Sequence, residues 1–276
     1  TYVGGKGTNE AIAVTKLGHR AALIGRVGND VDADHIYDII QTYPINASGV
    51  KRSIGSQTGK AYIFVQKGGD SMISLTSGAN QTVTEQDILD NERLFINANT
   101  CLLQTEIPLS AILKATQLAK KYHATTVLKP SACSELPVSL LENIDIIIPN
   151  LDEINDICPG EGSIEEKAEY LLSLGIQIVI ITLGADGCYV RTKEIEEYLP
   201  AASFTSIDTA GAGDAFISAF ISYRLYDYDI LSAAKIATYA AGFSTTTQGT
   251  VPALIDKNTL ESIIWQKEPE LLKKHS

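Results

Sequence analysis

Four short apolar runs alternate with helix-spaced stretches through the middle of the chain, and this rhythm constrains the fold more than any other feature. The segment Leu109–Ala119, for example, has the 3.6-residue spacing of a helix and lies between two such runs. Strands that alternate with helices predict right-handed β-α-β units and a mostly parallel sheet covered on both faces. The four apolar runs are Cys101–Gln104, Thr125–Leu128, Asp145–Ile148 and Gln177–Thr182.

This pattern predicts an α/β fold with three layers, α/β/α, in a single domain over residues 1–276. No internal repeat or low-complexity linker divides the 276 residues. Before the β-α-β region, the strand-like runs Thr58–Gln66 and Ser71–Thr76 flank Lys67-Gly68-Gly69-Asp70, which predicts a hairpin. The spacing alone is compatible with an edge decoration or with a lid.

Composition excludes several classes of protein. The net charge of −11 argues against nucleic acid as a main partner, because phosphate binding favours a basic surface. No apolar run approaches the ~20 residues of a membrane span, and the N-terminus has no signal-peptide pattern. The four cysteines contain no C-x-x-C pair, so we expect reduced thiols rather than a zinc site or a disulfide framework. We therefore expect a cytoplasmic protein with no membrane partner.

Polar residues follow each of the four predicted parallel strands. Open parallel sheets bind ligands beyond the carboxyl ends of their strands, so these residues should meet at one edge. A ligand cleft at that edge is the natural hypothesis. The segments that follow the strands are Thr105-Glu106, Lys129-Pro130-Ser131, Pro149–Glu153 and Leu183–Gly187.

The stretch IDTAGAGDAF, at 207–216, combines two glycines with an aspartate at the start of a helical pattern, Ala212–Arg224. Gly211 and Gly213 leave backbone N–H groups accessible to an anion, and the helix dipole favours negative charge there. Asp214 in the first turn is placed to accept a proton from a substrate hydroxyl. An N-capped helix with a flexible entry also uses these residue types, but the full D-T-x-G-x-G-D pattern is too specific for that interpretation.

A second glycine-rich stretch, Gly4-Gly5-Lys6-Gly7-Thr8-Asn9, also precedes a helical pattern. It is not a Walker A motif, because Gly7 stands where Ser or Thr is required. Lys6 and Asn9 remain as donors for a polar ligand, and a tight turn with a solvated lysine is an equally good interpretation of this stretch alone.

Together these motifs make the sequence similar to the ribokinase-like (PfkB) family of carbohydrate and nucleoside kinases. The similarity covers essentially the whole chain, through GGKGTNEAIAVTKLG, LIGRVGNDVDA, TGKAYIFV, TSGAN, PNLDE and TLGADG, and is strongest at DTAGAGDAF. Within the family, the GGKG-x-N form and SGAN are most similar to ribokinases. The resemblance implies a ribokinase-like fold with a small β lid, whose strands lie around 1–5 and 55–76.

The resemblance also implies a reaction. The γ-phosphate of ATP would pass to a primary hydroxyl of a sugar, D-ribose or another pentose. Asp214 would be the general base, and the backbone N–H groups of Gly211, Ala212 and Gly213 would form an anion hole. Such catalysis depends on positioning and charge stabilisation.

Further site residues follow from the same resemblance. The positions that match sugar-binding residues are Gly4, Gly5, Lys6, Asn9, Glu106 and Asp214. The positions that match nucleotide-site residues are Asn150, Thr182, Gly184 and Gly213. Asn150 and Glu153 would organise Mg²⁺ through water, and Asp208 with the carbonyl of Ala210 would form part of a K⁺ site. The family also implies a homodimer through the lid.

The sequence departs from the family at three places. Members usually carry an earlier strand with a sugar-binding aspartate, which this chain starts too late to contain, so we expect an omitted N-terminal segment rather than a shortened protein. Lys129-Pro130-Ser131 stands where ribokinases show Asn-Pro-x-Pro, and this lysine is placed either to contact ATP phosphates or to exclude a ligand. Ala253 stands where ribokinases offer a hydroxyl near the cation.

Two other functions remain open at this level. One is a nucleoside kinase of the same family, acting on adenosine or pseudouridine, with Tyr62 and Phe64 available to hold a base. The other is an inert protein that senses a sugar or nucleotide. The presence of Asp214, Asn150 and Glu153 argues against the inert protein.

Overall fold

The computed structural model describes residues 2–65, 71–131, 135–158 and 160–273. The strands in this part of the chain are β1 (Ala21–Val27), β2 (Ile45–Arg52), β3 (Lys60–Val65), β4 (Ser71–Thr76), β5 (Thr100–Gln104), β6 (Thr125–Lys129), β7 (Ile146–Ile147), β8 (Ile178–Thr182), β9 (Cys188–Arg191) and β10 (Glu196–Leu199). The helices are α1 (Lys6–Lys16), α2 (Val31–Gln41), α3 (Glu85–Asp90), α4 (Leu109–Lys121), α5 (Val138–Leu141), α6 (Leu151–Ile157), α7 (Ile164–Ser173), α8 (Ala212–Leu225), α9 (Ile230–Ser244), α10 (Thr250–Ala253) and α11 (Lys257–Lys267).

The central sheet has six strands in the order β10-β9-β8-β7-β6-β5. Strands β5 to β8 are parallel, while β9 and β10 add an antiparallel edge. The four strands predicted from the apolar runs are therefore confirmed as one parallel block. Their carboxyl ends lie at a common edge, where the sequence places its polar residues.

Alternate residues of each central strand pack into two separate cores, which gives the three layers. In β8, Val179 and Ile181 belong to a core with α4, α6 and α7. Ile178 and Ile180 of the same strand belong to the opposite core, which contains α8 and α9. A strand with both faces buried has a nearly continuous apolar sequence, and the segment at 177–182 has such a sequence. The predicted α/β/α architecture is confirmed.

Two smaller sheets accompany the central one. Strands β1 and β2 form a parallel pair, and β3 and β4 form the predicted antiparallel hairpin. The predicted turn at 67–70 lies outside the described residues. Residues 2–5 form no strand and lead directly into α1. The expected lid strand at 1–5 is thus absent from 2–5, and the hairpin strands cover 60–65 and 71–76 rather than all of 55–76.

Within the described ranges, no helix has the length and apolar character needed to cross a bilayer. The cysteines at 101, 158 and 188 are unpaired thiols, as expected. Cys133 lies outside the described residues.

Candidate active site

The glycine turn before α8 has a backbone shape that requires glycine. Gly211 precedes the helix with φ 83°, in the left-handed region, so a side chain would be strained there. A Cβ on Gly211 would also lie 3.0 Å from Cγ2 of Thr250. The helix starts at Ala212, the first residue of the helical pattern predicted at 212–224. Its first N–H groups point out of the helix end, which is the arrangement that binds anions.

Asp214 lies in the first turn of α8 and is buried, with 6% of its surface exposed. The amide nitrogen Nδ2 of Asn9 donates to its Oδ2 at 2.7 Å. The hydroxyl of Thr250 donates to Oδ1 of Asn9 at 3.2 Å, which fixes the orientation of the amide. The two glycine-rich motifs, more than 200 residues apart, therefore meet through one side-chain hydrogen bond.

Lys6 and Glu106 extend the same cluster. The Lys6 ammonium lies 3.4 Å from Oε1 of Glu106, which follows β5 at the carboxyl edge of the sheet. Burial lowers the pKa of Lys6, but the charges of Glu106 and Asp214 outweigh it and raise that pKa. Burial raises the pKa of Asp214, opposed by the hydrogen bond from Asn9 and by the charge of Lys6.

A second carboxyl group, that of Glu10, is buried near Asp214. Nε2 of Gln104 lies 2.5 Å from both of its oxygens. Burial, followed by the charge of Asp214, raises the pKa of Glu10 well above its ordinary value. Sequence reasoning missed Glu10, Gln104 and Thr250. Glu10 adjoins Asn9 and Gln104 ends a predicted strand, so both had a positional signal, whereas Thr250 had none.

The predicted nucleotide residues form a neighbouring cluster at the start of α6. Asn150 caps this helix: its Oδ1 accepts from the N–H of Glu153, and Oε2 of Glu153 accepts from the N–H of Asn150, both at 2.7 Å. Thr182, the last residue of β8, pairs with Asn150 through a parallel β-bridge beyond the end of β7. Gly184 follows two residues later with φ 60°. These four residues share the carboxyl edge of the sheet.

Asp208 ties the entrance of the glycine turn to the loop before α10. Its Oδ1 accepts from the N–H of Ala210 at 3.0 Å, and its Oδ2 accepts from the N–H of Gly249 at 3.1 Å. In the described part of the chain, no group of three or more histidine, cysteine or acidic side chains converges on one point. The ligands available to the predicted K⁺ site are therefore the Asp208 carboxylate and backbone carbonyl oxygens.

The Gly4–Gly5 turn completes the set of predicted residues. Gly5 precedes α1 with φ 99°, and its carbonyl accepts from the N–H of Asn9 at 2.9 Å. A Cβ on Gly4 would lie 3.4 Å from Oγ1 of Thr250. The turn thus presents Lys6 and Asn9 toward the first turn of α8.

Comparison with known proteins decides the family. The family model for pfkB family carbohydrate kinases matches residues 1–257. The chain belongs to this family. It is therefore a phosphotransferase that acts on an alcohol group of a carbohydrate.

Individual relatives within the family have informative names. A ribokinase of Staphylococcus aureus is 38% identical over 225 residues, which cover 80% of this chain and 74% of the relative. A deoxyribokinase of Salmonella typhi is 32% identical over 90% of this chain and 82% of its own length. A structure of Arabidopsis thaliana ribokinase complexed with ribose and ATP superposes with a TM-score of 0.87 at 25% identity, covering 95% of this chain and 87% of that one.

Proposed function

We propose that the protein is an ATP-dependent ribose kinase that makes ribose 5-phosphate. The observation that carries the proposal is the buried Asp214 carboxylate, held by Asn9 beside the glycine turn at the start of α8. It puts a proton acceptor next to backbone donors that suit a phosphoryl group. The names of the Staphylococcus and Arabidopsis relatives favour ribose, and none of the relatives described above is a nucleoside kinase.

Asp214 acts as the general base on the primary hydroxyl of the sugar. Burial removes competing water, and Asn9 holds one carboxylate oxygen so that the other faces the substrate. Lys6 and Glu106 supply a donor and an acceptor for the remaining hydroxyls, together with the Gly4–Gly5 turn. Gly211, Ala212 and Gly213 bind the transferring phosphoryl group through their N–H groups.

Asn150, Thr182 and Gly184 line the nucleotide side of the site, and Glu153 with Asn150 would hold Mg²⁺ through water. One carboxylate suits Mg²⁺, which keeps several waters and is otherwise bound by substrate phosphates. Oε1 of Glu153 fits this role, because the hydrogen bonds from its own helix cap use Oε2. When bound, the ion would neutralise charge on the phosphates of ATP.

Asp208 and the carbonyl of Ala210 would form part of a K⁺ site at the entrance of the glycine turn. Both oxygens of Asp208 accept backbone N–H groups, so the carboxylate is held rigidly and retains lone pairs for a cation. The hairpin β3–β4 acts as a lid over the sugar and as the interface of a homodimer.

The test is an ATP-consumption assay of the full-length protein with ribose, 2-deoxyribose, hexoses and nucleosides, each with and without K⁺ and Mg²⁺. We expect turnover to be fastest with ribose, to need Mg²⁺ and to rise with K⁺. Higher kcat/KM for 2-deoxyribose would reassign the sugar, and turnover of nucleosides alone would overturn the proposal.

The Asp214→Asn variant separates catalysis from binding. Asparagine keeps the shape and the contact with Asn9 but cannot take the proton, so we expect kcat to fall by at least roughly 10²-fold. The dissociation constant for ribose, measured by calorimetry, should change little. A near-normal kcat in this variant would show that Asp214 is not the base.

A further inference from the structure

We propose that Lys129 is a further catalytic residue, whose ammonium group contacts the phosphoryl group in transfer between ATP and the sugar. This inference rests on the proposed kinase function and adds a cation supplied by the protein itself. It concerns a residue of this chain that differs from the family pattern, and three observations support it.

The first observation is the position of Lys129 in the central sheet. Lys129 is the last residue of β6 and pairs in register with Gln104 of β5, so it stands in the middle of the carboxyl edge. Only 6% of its surface is exposed. A lysine this buried is unusual unless its charge has a partner.

The second observation is that Lys129 lies between Glu153 and Gly213. Its Nζ forms an ion pair with Oε2 of Glu153, on the nucleotide side of the site. Its Cε lies 3.7 Å from the position that a Cβ on Gly213 would take, so the end of its side chain lies against the proposed anion hole. Lys129 therefore bridges the nucleotide cluster and the turn that precedes Asp214.

The third observation is that the Lys129 ammonium has more hydrogen-bond donors than its contact with Glu153 uses. An ammonium group has three donors, and among the described residues that of Lys129 donates to Glu153. Glu153 already accepts from the N–H of Asn150, so its helix cap is complete without a lysine. An ion pair kept only for stability gains little here, because desolvation of both charges offsets their attraction.

The charge of Lys129 acts on the reacting groups. It is one of the effects that lower the pKa of Asp214, after the hydrogen bond from Asn9 and the charge of Lys6, in opposition to burial. In phosphoryl transfer, negative charge is spread over the three equatorial oxygens of the transferring group. A positive group fixed beside the anion hole stabilises that charge without reorganisation during the reaction.

The experiment compares the wild-type protein with Lys129→Met, Lys129→Arg and a control, Lys167→Met. Lys167 is similarly buried, at 9% exposure, and its ammonium donates to Oδ1 of Asn155 at 2.6 Å, outside the proposed site. We expect Lys129→Met to lower kcat roughly 10²–10³-fold with little change in KM for ribose, as for loss of an oxyanion donor. Lys129→Arg keeps the positive charge, so its kcat should fall less than that of Lys129→Met. The control should keep its kcat.

A binding measurement accompanies the kinetics. With ribose present, each protein is titrated with ADP alone and with ADP plus tetrafluoroaluminate, which mimics the transferring phosphoryl group. We expect the wild type to bind the fluoroaluminate complex more tightly than ADP, and Lys129→Met to lose most of that difference.

A wild-type kcat in Lys129→Met, or an undiminished preference for the fluoroaluminate complex, would overturn the assignment of Lys129. Absence of turnover by the wild-type protein with every sugar would instead overturn the proposed function. The titration requires no turnover, so it decides the role of Lys129 in that case as well.

Discussion

At the scale of single residues, the site contains two buried carboxyl groups that interact, Glu10 and Asp214. Burial raises the pKa of both, and the negative charge of Asp214 raises that of Glu10 further. The two groups resist being ionised together, as neighbouring carboxylates do. Only Asp214 receives a hydrogen bond from Asn9 and lies beside the glycine turn. We therefore infer that Glu10 holds the proton and leaves Asp214 ionised.

This inference predicts the effect of Glu10→Gln on stability. Between the ordinary pKa of glutamate, about 4.3, and its raised value, folded Glu10 keeps a proton that the unfolded chain has released. The free energy of unfolding of the wild type therefore falls as pH rises through this window. Glutamine cannot ionise, so the Tm of Glu10→Gln should exceed that of the wild type increasingly from pH 4 to pH 8.

Differential scanning calorimetry across this pH range tests the prediction. Glu197→Gln, at an exposed position of β10, is the control and should show no such trend. A Tm difference that stays constant with pH would contradict a raised pKa for Glu10.

At the scale of elements, one side chain joins the short helix α3 to the β1–β2 pair. Asp87 of α3 accepts from Nε and Nη2 of Arg26 on β1, at 2.7 and 2.8 Å, and from Lys51 on β2 at 3.1 Å. Burial raises the pKa of Asp87, but its bonds to Arg26, to the backbone N–H of Thr84 and to Lys51 outweigh burial and lower that pKa strongly. This carboxylate connects three elements of the chain.

The Asp87→Asn variant should lower the free energy of unfolding at pH 7 by about 2 kcal/mol, because it removes the buried charge that accepts hydrogen bonds from the partly exposed Arg26 and Lys51. A carboxylate with a lowered pKa contributes its stability above the ordinary pKa and loses it as pH falls below about 4. The difference between wild type and variant should therefore shrink from pH 5 to pH 3.

Urea denaturation at several pH values measures this difference. Asp90→Asn is the matched control, because Asp90 also binds Lys51, at 2.7 Å, but is exposed. Its effect should be much smaller than that of Asp87→Asn. Equal effects of the two variants would show that burial of Asp87 adds nothing.

At the scale of the whole molecule, the hairpin β3–β4 is a two-stranded sheet separate from the central one. Tyr62 and Leu75 occupy opposite faces of it, since Tyr62 pairs with Ser74 and Leu75 with Ala61. Both side chains are 50% exposed. An isolated hairpin is marginally stable, so two apolar faces favour a partner on each side. The sugar-filled site would cover one face of the hairpin, and a second copy of the chain would cover the other.

The double variant Tyr62→Lys and Leu75→Lys should therefore dissociate the proposed homodimer, because lysines oppose burial of both faces. Sedimentation equilibrium over micromolar concentrations measures the change. Trp265→Lys, on α11, removes another exposed aromatic side chain and should leave the proposed homodimer intact. A monomeric wild type, or a dimeric hairpin variant, would contradict the interface.

Local sequence signals predicted much of the fold and part of the site. The pattern DTAGAGDAF predicted the start of α8, because the left-handed turn at Gly211 is a local requirement for glycine. The expected strand at 1–5 was wrong for residues 2–5, which enter α1 directly. The earlier strand expected before the GGKG turn stays a prediction.

The sequence by itself determined the β-α-β order, the glycine turns and the family, because periodicity and motifs are properties of neighbouring residues. Only the tertiary structure decided that Asn9 holds Asp214, that Glu10 is buried near it, and that Lys129 joins Glu153 to the turn at Gly213. These contacts join residues from 24 to 205 positions apart. Burial and electrostatic partners at that distance depend on how the layers pack, which no local pattern encodes.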